Sequence, residues 1–150
     1  MNNISKYNLY LLKSIPISRI AGVKVSKLND WECETTVKHG WFNQNPFKSM
    51  FWAVQGMAAE FSTGIMCADK IRKSGKKVSM LVIQNNAEFS KKATGKIVFS
   101  CSQGKEIDEV IKRAVETGEG QTLTLSSEGK DEKGDTVSKF NFVWSFKVKN

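Results

Sequence analysis

Alternating apolar and polar positions predict strands on both sides of a long helical stretch. Residues 23–38 alternate as two short strands, with a turn at Asn29–Asp30 and Trp31 at the start of the second strand. Four later stretches are also strand-like: 78–89, 96–102, the alternation around Leu123 and Leu125, and the regular run from Phe140 to Val148. The run DEKGD at 131–135 predicts a hairpin turn.

Helical spacing occurs in three parts of the chain. Residues 4–14 form a short amphipathic pattern that Pro16 interrupts, and a further turn is predicted at 18–21. Helix formers dominate 47–72, and Gly75 provides a stop, so this central helix would be roughly 36 Å long. The last helix, 106–116, carries apolar residues at positions i, i+3, i+4, i+7 and i+8.

These elements predict one α+β domain over residues 1–150, with an N-terminal helical segment at 1–21 and the central helix at 47–72. Short connections between the strands favour an antiparallel sheet. The central helix is apolar nearly all round and must therefore be enclosed. A curved antiparallel sheet wrapped around it is the simplest arrangement.

Composition adds little to this fold but limits the partners. The 150 residues are 40% hydrophobic and 25% charged, with a net charge of +8. Lysines are dispersed and arginines number three, so nothing here favours nucleic acid. The charge is read either as a solvated surface or as attraction for an acidic small molecule such as a coenzyme A ester.

Cysteine, histidine and hydropathy patterns narrow the chemistry further. The three cysteines lie far apart without CxxC spacing, and His39 is the single histidine, so we expect reduced thiols and no metal site. The apolar run Leu9–Leu12 is too short for a signal peptide, and no stretch approaches a membrane span. A cytoplasmic protein without a membrane partner is expected.

One acid, Glu60, interrupts the apolar first part of the central helix, up to Gly64. On a helical wheel a single stripe holds Ser49, Ala53, Gly56, Met57, Glu60, Gly64 and Cys67. Each glycine costs about 1 kcal/mol relative to alanine, so the glycines indicate close approach of another backbone or a ligand. Glu60 would then either pair with a lysine or backbone donors, or have a raised pKa that suits a general base. Cys67 is read as core packing.

The loop before this helix supplies further polar groups. Asn45 could cap the helix with Pro46 at its first position, and the free N–H groups near Lys48–Phe51 could hold an oxyanion; both can be true together. Gln84, Asn85 and Asn86 either line a cavity beside Glu60 or mark a strand leaving the core. An aromatic cluster near the loop and the helix start either lines an acyl or aryl pocket or serves core and dimer packing. It consists of Trp41, Phe42, Phe47, Phe51 and Trp52.

Four of these residues carry a family resemblance. Asn45, Ser49, Glu60 and Gly64, in the pattern N-x-x-K-S-x(10)-E-x-x-x-G, resemble the loop-to-helix signature of an uncharacterised, thioesterase-like branch of the hotdog-fold superfamily. The run AEFSKKATGKI at 87–97 is similar to the two-strand turn of the same group. The resemblance extends from about Pro16 onward.

The resemblance implies a hotdog fold and a homodimer paired edge to edge, with further pairing into a tetramer left open. Such proteins bind acyl-CoA or acyl-carrier-protein thioesters between protomers, and coenzyme A enters as part of the substrate, not as a cofactor. Glu60 becomes the candidate base and Asn45 the group that orients water or carbonyl. The candidate substrate contacts are Lys48 and Ser49, through their amides as oxyanion donors, with Gly56, Gly64 and Asn86.

Two departures keep alternatives open. Family members commonly have glycine where Lys48 stands, which favours a non-catalytic protein that binds acyl-CoA or another acyl ligand in the same cleft. A dehydratase would need a histidine about fourteen residues before Glu60, where this chain has Pro46, and a His39–Glu60 dyad is disfavoured. A different, monomeric α+β fold with an internal pocket is the third alternative.

Overall fold

Six strands and four helices make up the part of the chain, residues 3–150, that the computed structural model describes. In chain order they are α1 (Asn3–Ser14), α2 (Pro16–Ala21), β1 (Lys24–Leu28), β2 (Cys33–Lys38), α3 (Trp52–Ser74), β3 (Val78–Phe89), β4 (Lys96–Cys101), α4 (Gly104–Thr117), β5 (Gln121–Lys130) and β6 (Thr136–Val148). A 3-10 turn at Trp41–Asn43 lies between β2 and α3.

The strands form one sheet in the order β1-β2-β4-β5-β6-β3, and each neighbouring pair is antiparallel. The longest pairing joins β3 to β6, from Val78 opposite Val148 to Phe89 opposite Ser138. Strands β1 and β3 are the two edges of the sheet. The predicted antiparallel sheet is therefore confirmed.

The sheet curves around α3, whose side chains are buried along most of its 23 residues. The core between the sheet and α3 is aromatic on the sheet side, where alternate residues of β6 point inward. Helix α4 is amphipathic and buries Ile107, Val110, Ile111 and Ala114. A long helix enclosed by a curved antiparallel sheet is the hotdog arrangement, as predicted. Burial of apolar surface on both sides of α3 is what holds the helix in place.

Helix α3 begins at Trp52, so the predicted start at residue 47 is wrong. Asn45 does not cap the helix, because Phe51 occupies that position. Residues 44–51 instead form a loop held by longer-range bonds: the Met50 N–H donates to the Ala93 carbonyl (2.8 Å) and the Phe51 N–H to the Asn43 carbonyl (2.8 Å). At the other end the helix continues to Ser74, and Gly75 ends it in a left-handed conformation (φ 69°).

Trp31 also departs from its predicted place in a strand. Strand β2 begins at Cys33, and Trp31 lies in the turn before it. The Asn29 Oδ1 atom accepts hydrogen bonds from the N–H groups of Trp31 (2.8 Å) and Glu32 (2.9 Å), which curls the backbone away from the extended form. The Trp31 side chain is exposed as a result.

The N-terminal segment packs on the outside of this core. Asn8 exchanges two hydrogen bonds with the backbone of Val25 (2.9 Å each), and the Tyr7 hydroxyl donates to Asp69 Oδ1 (3.1 Å). Leu11 is buried between the helix and the body of the domain. Polar bonds and one apolar anchor thus fix α1 against β1 and the end of α3.

Within residues 3–150, no helix is both long enough and apolar enough to cross a membrane.

Candidate functional site

Helix α3 and strand β6 meet in matched register around Glu60. Four residues along a helix advance about 6 Å, and two residues along a strand advance about 7 Å. Every fourth residue of α3 can therefore lie beside every second residue of β6, which matches Gly56, Glu60 and Gly64 with Phe140, Phe142 and Trp144. A Cβ atom added at Gly56 would lie 3.2 Å from Phe140 Cε1, and one at Gly64 would lie 3.2 Å from Trp144 Cζ2. The glycines therefore admit aromatic side chains, and the neighbour at each glycine is a ring where the sequence predicted a backbone or a ligand.

An open cleft with a volume of about 480 Å³ extends along α3 from Trp52 to Phe61, past the contact between Gly56 and Phe140. Its lining comes from α3, β3 and β6, with Ile15 at one end: Ile15, Trp52, Ala53, Gly56, Met57, Glu60, Phe61, Val82, Asn85, Phe140 and Phe142. Glu60 and Asn85 are the two polar side chains in this lining. Such a wall suits an apolar group with one reactive end.

The Glu60 carboxylate faces this cleft without a partner. Among residues 3–150, no side chain or backbone N–H bonds to the carboxylate. The backbone carbonyl of Glu60 accepts a hydrogen bond from Thr63 Oγ1 (2.8 Å). Burial raises the pKa of the Glu60 carboxyl above its usual 4.5. The Glu60 side chain therefore does not pair with a lysine or with backbone donors, which was one of the two alternatives that the sequence left open.

The other charged side chains of α3 show what pairing looks like in this helix. Buried Asp69 accepts from Tyr7 (3.1 Å) and Arg72 (2.9 Å) and forms an ion pair with Lys73 (2.9 Å). Buried Lys70 donates to Asp108 (2.7 Å). Glu60 thus differs from these neighbours, because burial disfavours its charge and no group within residues 3–150 offsets it.

The start of α3 carries two free backbone donors, at residues that line the same cleft. The N–H groups of Val54 and Gln55 both donate to the Phe51 carbonyl (3.0 and 3.3 Å). The N–H groups of Trp52 and Ala53 have no partner within the described residues, and both residues line the cleft. The positive end of the helix dipole adds to their capacity to stabilise an oxyanion.

The predicted oxyanion donors are engaged elsewhere. The Lys48 N–H donates to the Asn45 carbonyl (3.3 Å), and the Ser49 N–H donates to Asn45 Oδ1 (3.2 Å). The Ser49 side chain is buried and bonded to the Asn45 side chain. Neither residue lines the Glu60 cleft.

Asn45 organises its own loop. Its Oδ1 atom accepts from the N–H groups of Phe47 (2.9 Å) and Ser49 (3.2 Å), and its Nδ2 group donates to the Met50 carbonyl (3.3 Å). Asn45 lines a separate cavity beside Phe47 and Lys92, outside the Glu60 cleft. Its position in this structure fits a role in shaping the loop before α3.

Lys48 is exposed and adopts a left-handed backbone conformation with φ 60°. Glycine adopts this conformation without the steric cost that a Cβ atom brings. The resemblance expects glycine here, and the backbone provides a physical reason for that preference. The reason is conformational and does not require close approach of a thioester.

On β3 the cleft residue is Asn85, while Asn86 lies on the outer face of the sheet. The Asn141 Nδ2 group donates to Asn86 Oδ1 (3.0 Å), whereas Asn85 pairs with Phe142 across the strands. Strict alternation from Val82 would have placed residues 84 and 86 on the cleft side. A bulge between Val82 and Gln84 shifts this parity by one residue.

Of the residues predicted for the site, Glu60 and Gly56 line the cleft, and the others lie outside its lining: Asn45, Lys48, Ser49, Gly64 and Asn86. Trp52, Ala53 and Asn85 also line it; the sequence placed each of them in a larger group of candidates without choosing it as a site residue. A sequence signal for Asn85 existed, since polar residues at 84–86 already indicated this part of the strand. The roles of Trp52 and Ala53 depended on the position of the helix start.

The remaining candidates lie away from the cleft. His39 does not line it, although its Nε2 atom is buried without a partner in the part of the chain described. Cys67 is fully buried, and burial raises the pKa of its thiol. No cluster of three or more histidine, cysteine or acidic side chains within residues 3–150 could hold a metal ion.

Solved structures share this fold over nearly their whole length. A protein of unknown function from Chlorobaculum tepidum has a TM-score of 0.83 at 17% identity, covering 97% of this chain and 94% of that one. A protein from Pseudomonas aeruginosa described as a probable thioesterase has a TM-score of 0.81 at 18% identity, with 99% of both chains covered. A thioesterase from Haemophilus influenzae has a TM-score of 0.74 at 12% identity, covering 99% and 92%.

At these identities the likeness establishes the fold, which is that of thioesterase-like hotdog proteins. No curated protein matches the chain in sequence. A family model does match, over residues 8–146, and it describes a domain of unknown function, DUF4442. Because that match spans nearly the whole chain, the protein belongs to the DUF4442 family, a thioesterase-like branch of the hotdog fold.

Proposed function

We propose that this protein hydrolyses an acyl thioester in a cleft between two copies of the chain, with Glu60 as the general base. The observation that carries the proposal is the unpartnered Glu60 carboxylate in an apolar cleft, with a pKa that burial raises. A carboxylate with a raised pKa accepts a proton from water more readily than an ordinary one.

The spacing along α3 supports a site built from two chains. Trp52 and Glu60 are eight residues apart, which corresponds to about 12 Å along the helix axis. A base must lie within about 3 Å of the water that it activates, and that water must touch the carbonyl carbon. A carbonyl held by the Trp52 and Ala53 amides meets Glu60 of the same chain only if substrate, water and side chain together span most of this distance, whereas an antiparallel second copy would bring its own Glu60 closer.

The free edge of the sheet supports the same assembly. Strand β3 is twelve residues long, pairs with β6 on one side and is an edge of the sheet on the other. It carries exposed Leu81, Ile83 and Phe89, and a long apolar edge of this kind invites pairing with another strand. Because Val82 and Asn85 of β3 also line the cleft, a homodimer joined through β3 would close the cleft.

In the proposed reaction the carbonyl oxygen of the thioester lies against the free N–H groups of Trp52 and Ala53. Water attacks the carbonyl carbon while Glu60 takes one of its protons, and the N–H groups stabilise the resulting oxyanion. Collapse of the tetrahedral intermediate breaks the carbon–sulfur bond. The thiolate leaves with the proton returned by Glu60, and the acyl group leaves as a carboxylic acid.

The cleft lining and the charge suggest the substrate class. Met57, Phe61, Phe140 and Phe142 form an apolar wall that suits a hydrophobic acyl or aryl group. Coenzyme A and acyl-carrier protein are both acidic, and a net charge of +8 attracts acidic molecules. Coenzyme A would enter as part of the substrate, which leaves the reaction without a separate cofactor.

A panel of short, long and aromatic acyl-CoA esters tests the proposal, with release of free thiol as the measurement. Glu60→Gln should lower kcat/KM by at least about a hundredfold, the usual range for a general base. Glu109→Gln, an exposed acid on α4, is the matched control and should keep wild-type activity. Wild-type turnover by Glu60→Gln would reject the proposed role.

A non-catalytic protein that binds acyl-CoA or another acyl ligand is the second candidate. It is favoured by the apolar lining of the cleft and by the use of Asn45 within its own loop, which leaves Asn85 as the one amide side chain lining the cleft. Thermal-shift measurements with the same esters separate the two. Stabilisation by a ligand that is never hydrolysed would support the binding protein.

A further inference from the structure

A large apolar surface lies beside the start of α3. We call it the aromatic face, and it consists of Ile17, Ile20, Trp41, Phe42, Phe47 and Phe51. Trp41 is 77% exposed, Phe42 74% and Phe47 69%, and the two isoleucines of α2 are each about 60% exposed. Side chains of this size are seldom exposed together on a soluble domain without a partner.

These residues are neighbours in space although they come from three parts of the chain. Ile17, Ile20, Phe42 and Phe51 line one shallow groove of about 260 Å³. The Trp41 ring packs edge-on against Phe42 with centroids 5.1 Å apart. Phe47 and Phe51 share the next cavity along the loop, so the surface is continuous.

The charges around this face have one sign. Arg19 lies between the two isoleucines on α2, Lys48 follows Phe47, and Lys92 donates to the Phe47 carbonyl (3.2 Å). No ion pair involves these three cations within the described residues. The sequence contains no acid at 1–29, 35–59 or 89–95, the segments that build and border the face.

Acids on the surrounding elements are directed elsewhere, including Glu132, which accepts a hydrogen bond from the Lys96 N–H (2.8 Å). Glu60 lies in the adjoining cleft, and Glu88 lies opposite Lys139 on the outer face of the sheet. Asp131 and Asp135 are both paired with Lys91, whose charge they offset. The aromatic face is therefore apolar at its centre and positively charged at its rim.

We infer that the aromatic face binds the surface of an anionic phospholipid bilayer, although the sequence alone led us to expect no membrane partner. Tryptophan and phenylalanine partition into the boundary between headgroups and acyl chains, and lysine and arginine contact the headgroup phosphates. A second copy of this face fits less well, because two positively charged rims would repel each other. The groove shares Ala53 and Met57 with the Glu60 cleft, so a chain bound in this way would present that cleft close to the bilayer.

Vesicle flotation tests the inference with the full-length protein. Vesicles of equal parts phosphatidylglycerol and phosphatidylcholine should carry the wild-type protein upward, and vesicles of phosphatidylcholine alone should carry much less. High salt should release the protein, since exposed charges are screened. Wild-type protein that ignores the anionic vesicles would overturn the inference.

Two pairs of matched variants make the test specific. Trp41→Ser with Phe42→Ser should weaken binding at least about tenfold, while Trp31→Ser should not. Trp31 is 68% exposed but lies near Lys73, at the opposite end of α3. Arg19→Gln with Lys48→Gln should weaken binding about fivefold per charge, and Lys105→Gln with Lys133→Gln should leave it unchanged.

The alternatives have distinct results. Equal loss of binding in the Trp31 variant would mean nonspecific adsorption and would overturn the inference. A Trp41→Ser and Phe42→Ser variant that turns from dimer to monomer in solution would assign the face to contact between copies, which also overturns it. Circular dichroism of each variant checks that the exposed substitutions leave the fold intact.

Discussion

The indole of Trp144 lies so close to Gly64 that a Cβ atom at this helix position would be 3.2 Å from Cζ2. The indole is also fixed by a hydrogen bond, because its Nε1 group donates to Thr63 Oγ1 (3.0 Å). Gly56 stands in the same relation to Phe140, one helical turn before Glu60. The two glycines therefore set how closely α3 approaches β6 on either side of the acid.

Gly64→Ala should lower the free energy of unfolding. Alanine gains about 1 kcal/mol of helix propensity, but overpacking a fixed ring costs about 1–3 kcal/mol, so we expect a net loss of about 1 kcal/mol. Urea unfolding measures the change. Gly40→Ala is the control, since an added Cβ atom meets nothing within 4 Å there. If Gly64→Ala proved more stable than the wild type, the Trp144 indole would have moved to make room.

Glu60→Gln should stabilise the protein at neutral pH. The folded-state pKa of Glu60 is raised, so between the usual 4.5 and the folded value the unfolded chain loses a proton that the folded chain keeps. The free energy of unfolding of the wild type therefore falls as pH rises through this window. The glutamine of the variant does not ionise, so the variant does not lose this stability.

Thermal unfolding of both proteins as a function of pH checks this. The two curves should converge below about pH 4.5, where the carboxyl is protonated in both states. If the melting temperatures of the two proteins changed in parallel with pH, the Glu60 carboxylate would be solvated, and the prediction would be wrong. With the activity assay, the variant should show higher stability together with lower turnover.

Asp69→Asn should show the opposite dependence on pH. Burial alone would raise the pKa of Asp69, but hydrogen bonds from Lys73 and Arg72 outweigh burial and lower it. Its stabilisation is therefore complete above the usual 3.8 and is lost as pH falls through the folded value.

At pH 6 the asparagine variant should lose about 1–3 kcal/mol, and the difference should shrink in acid. The Tyr7 hydroxyl also loses its charged acceptor, so hydrogen exchange in α1 should become faster. Unchanged exchange in α1 would mean that the Asn8 and Leu11 contacts hold the helix by themselves.

Lys48→Gly should stabilise the loop before α3. A left-handed conformation costs about 1–2 kcal/mol for a residue with a Cβ atom, and the added freedom of glycine in the unfolded chain offsets about half of this. A rise in melting temperature is expected. Lys48→Ala removes the charge but keeps the Cβ atom, so an equal rise in that variant would contradict the backbone explanation.

The thiols should resist modification in the folded protein. Cys33 and Cys101 lie opposite each other on β2 and β4, and burial raises their pKa values to about 12 and about 11. Burial also raises the pKa of Cys67. A thiol-specific reagent at pH 8 should label the native protein slowly and all three cysteines after unfolding. Rapid labelling of the native protein would mean that the core opens locally.

Local patterns determined most of the secondary structure. Alternation with period two and helical spacing with period 3.6 depend on neighbouring residues, so the order of strands and helices followed from the sequence. The cleanest alternation, at Phe140–Val148, became the strand that lines the core, and the amphipathic pattern at 106–116 became α4. The choice of Glu60 also followed from sequence, because an acid on an apolar helix is visible without coordinates.

Contacts between distant residues decided the rest. The start of α3 moved to Trp52 because Met50 bonds to Ala93, more than forty residues later, and no local pattern contains that bond. The bulge in β3 reversed which asparagine faces the cleft, since strand parity depends on the register with β6. Aromatic residues predicted as one cluster are divided between the cleft and an exposed face.

The sequence by itself therefore determined which elements form and which faces are apolar, because these properties depend on residues a few positions apart. The tertiary structure decided which atoms meet. It set the rings that fill the space at Gly56 and Gly64, and it left the Trp52 and Ala53 amides and the Glu60 carboxylate without a partner among the described residues. Hydrogen bonds and packing between segments far apart in the chain set those positions.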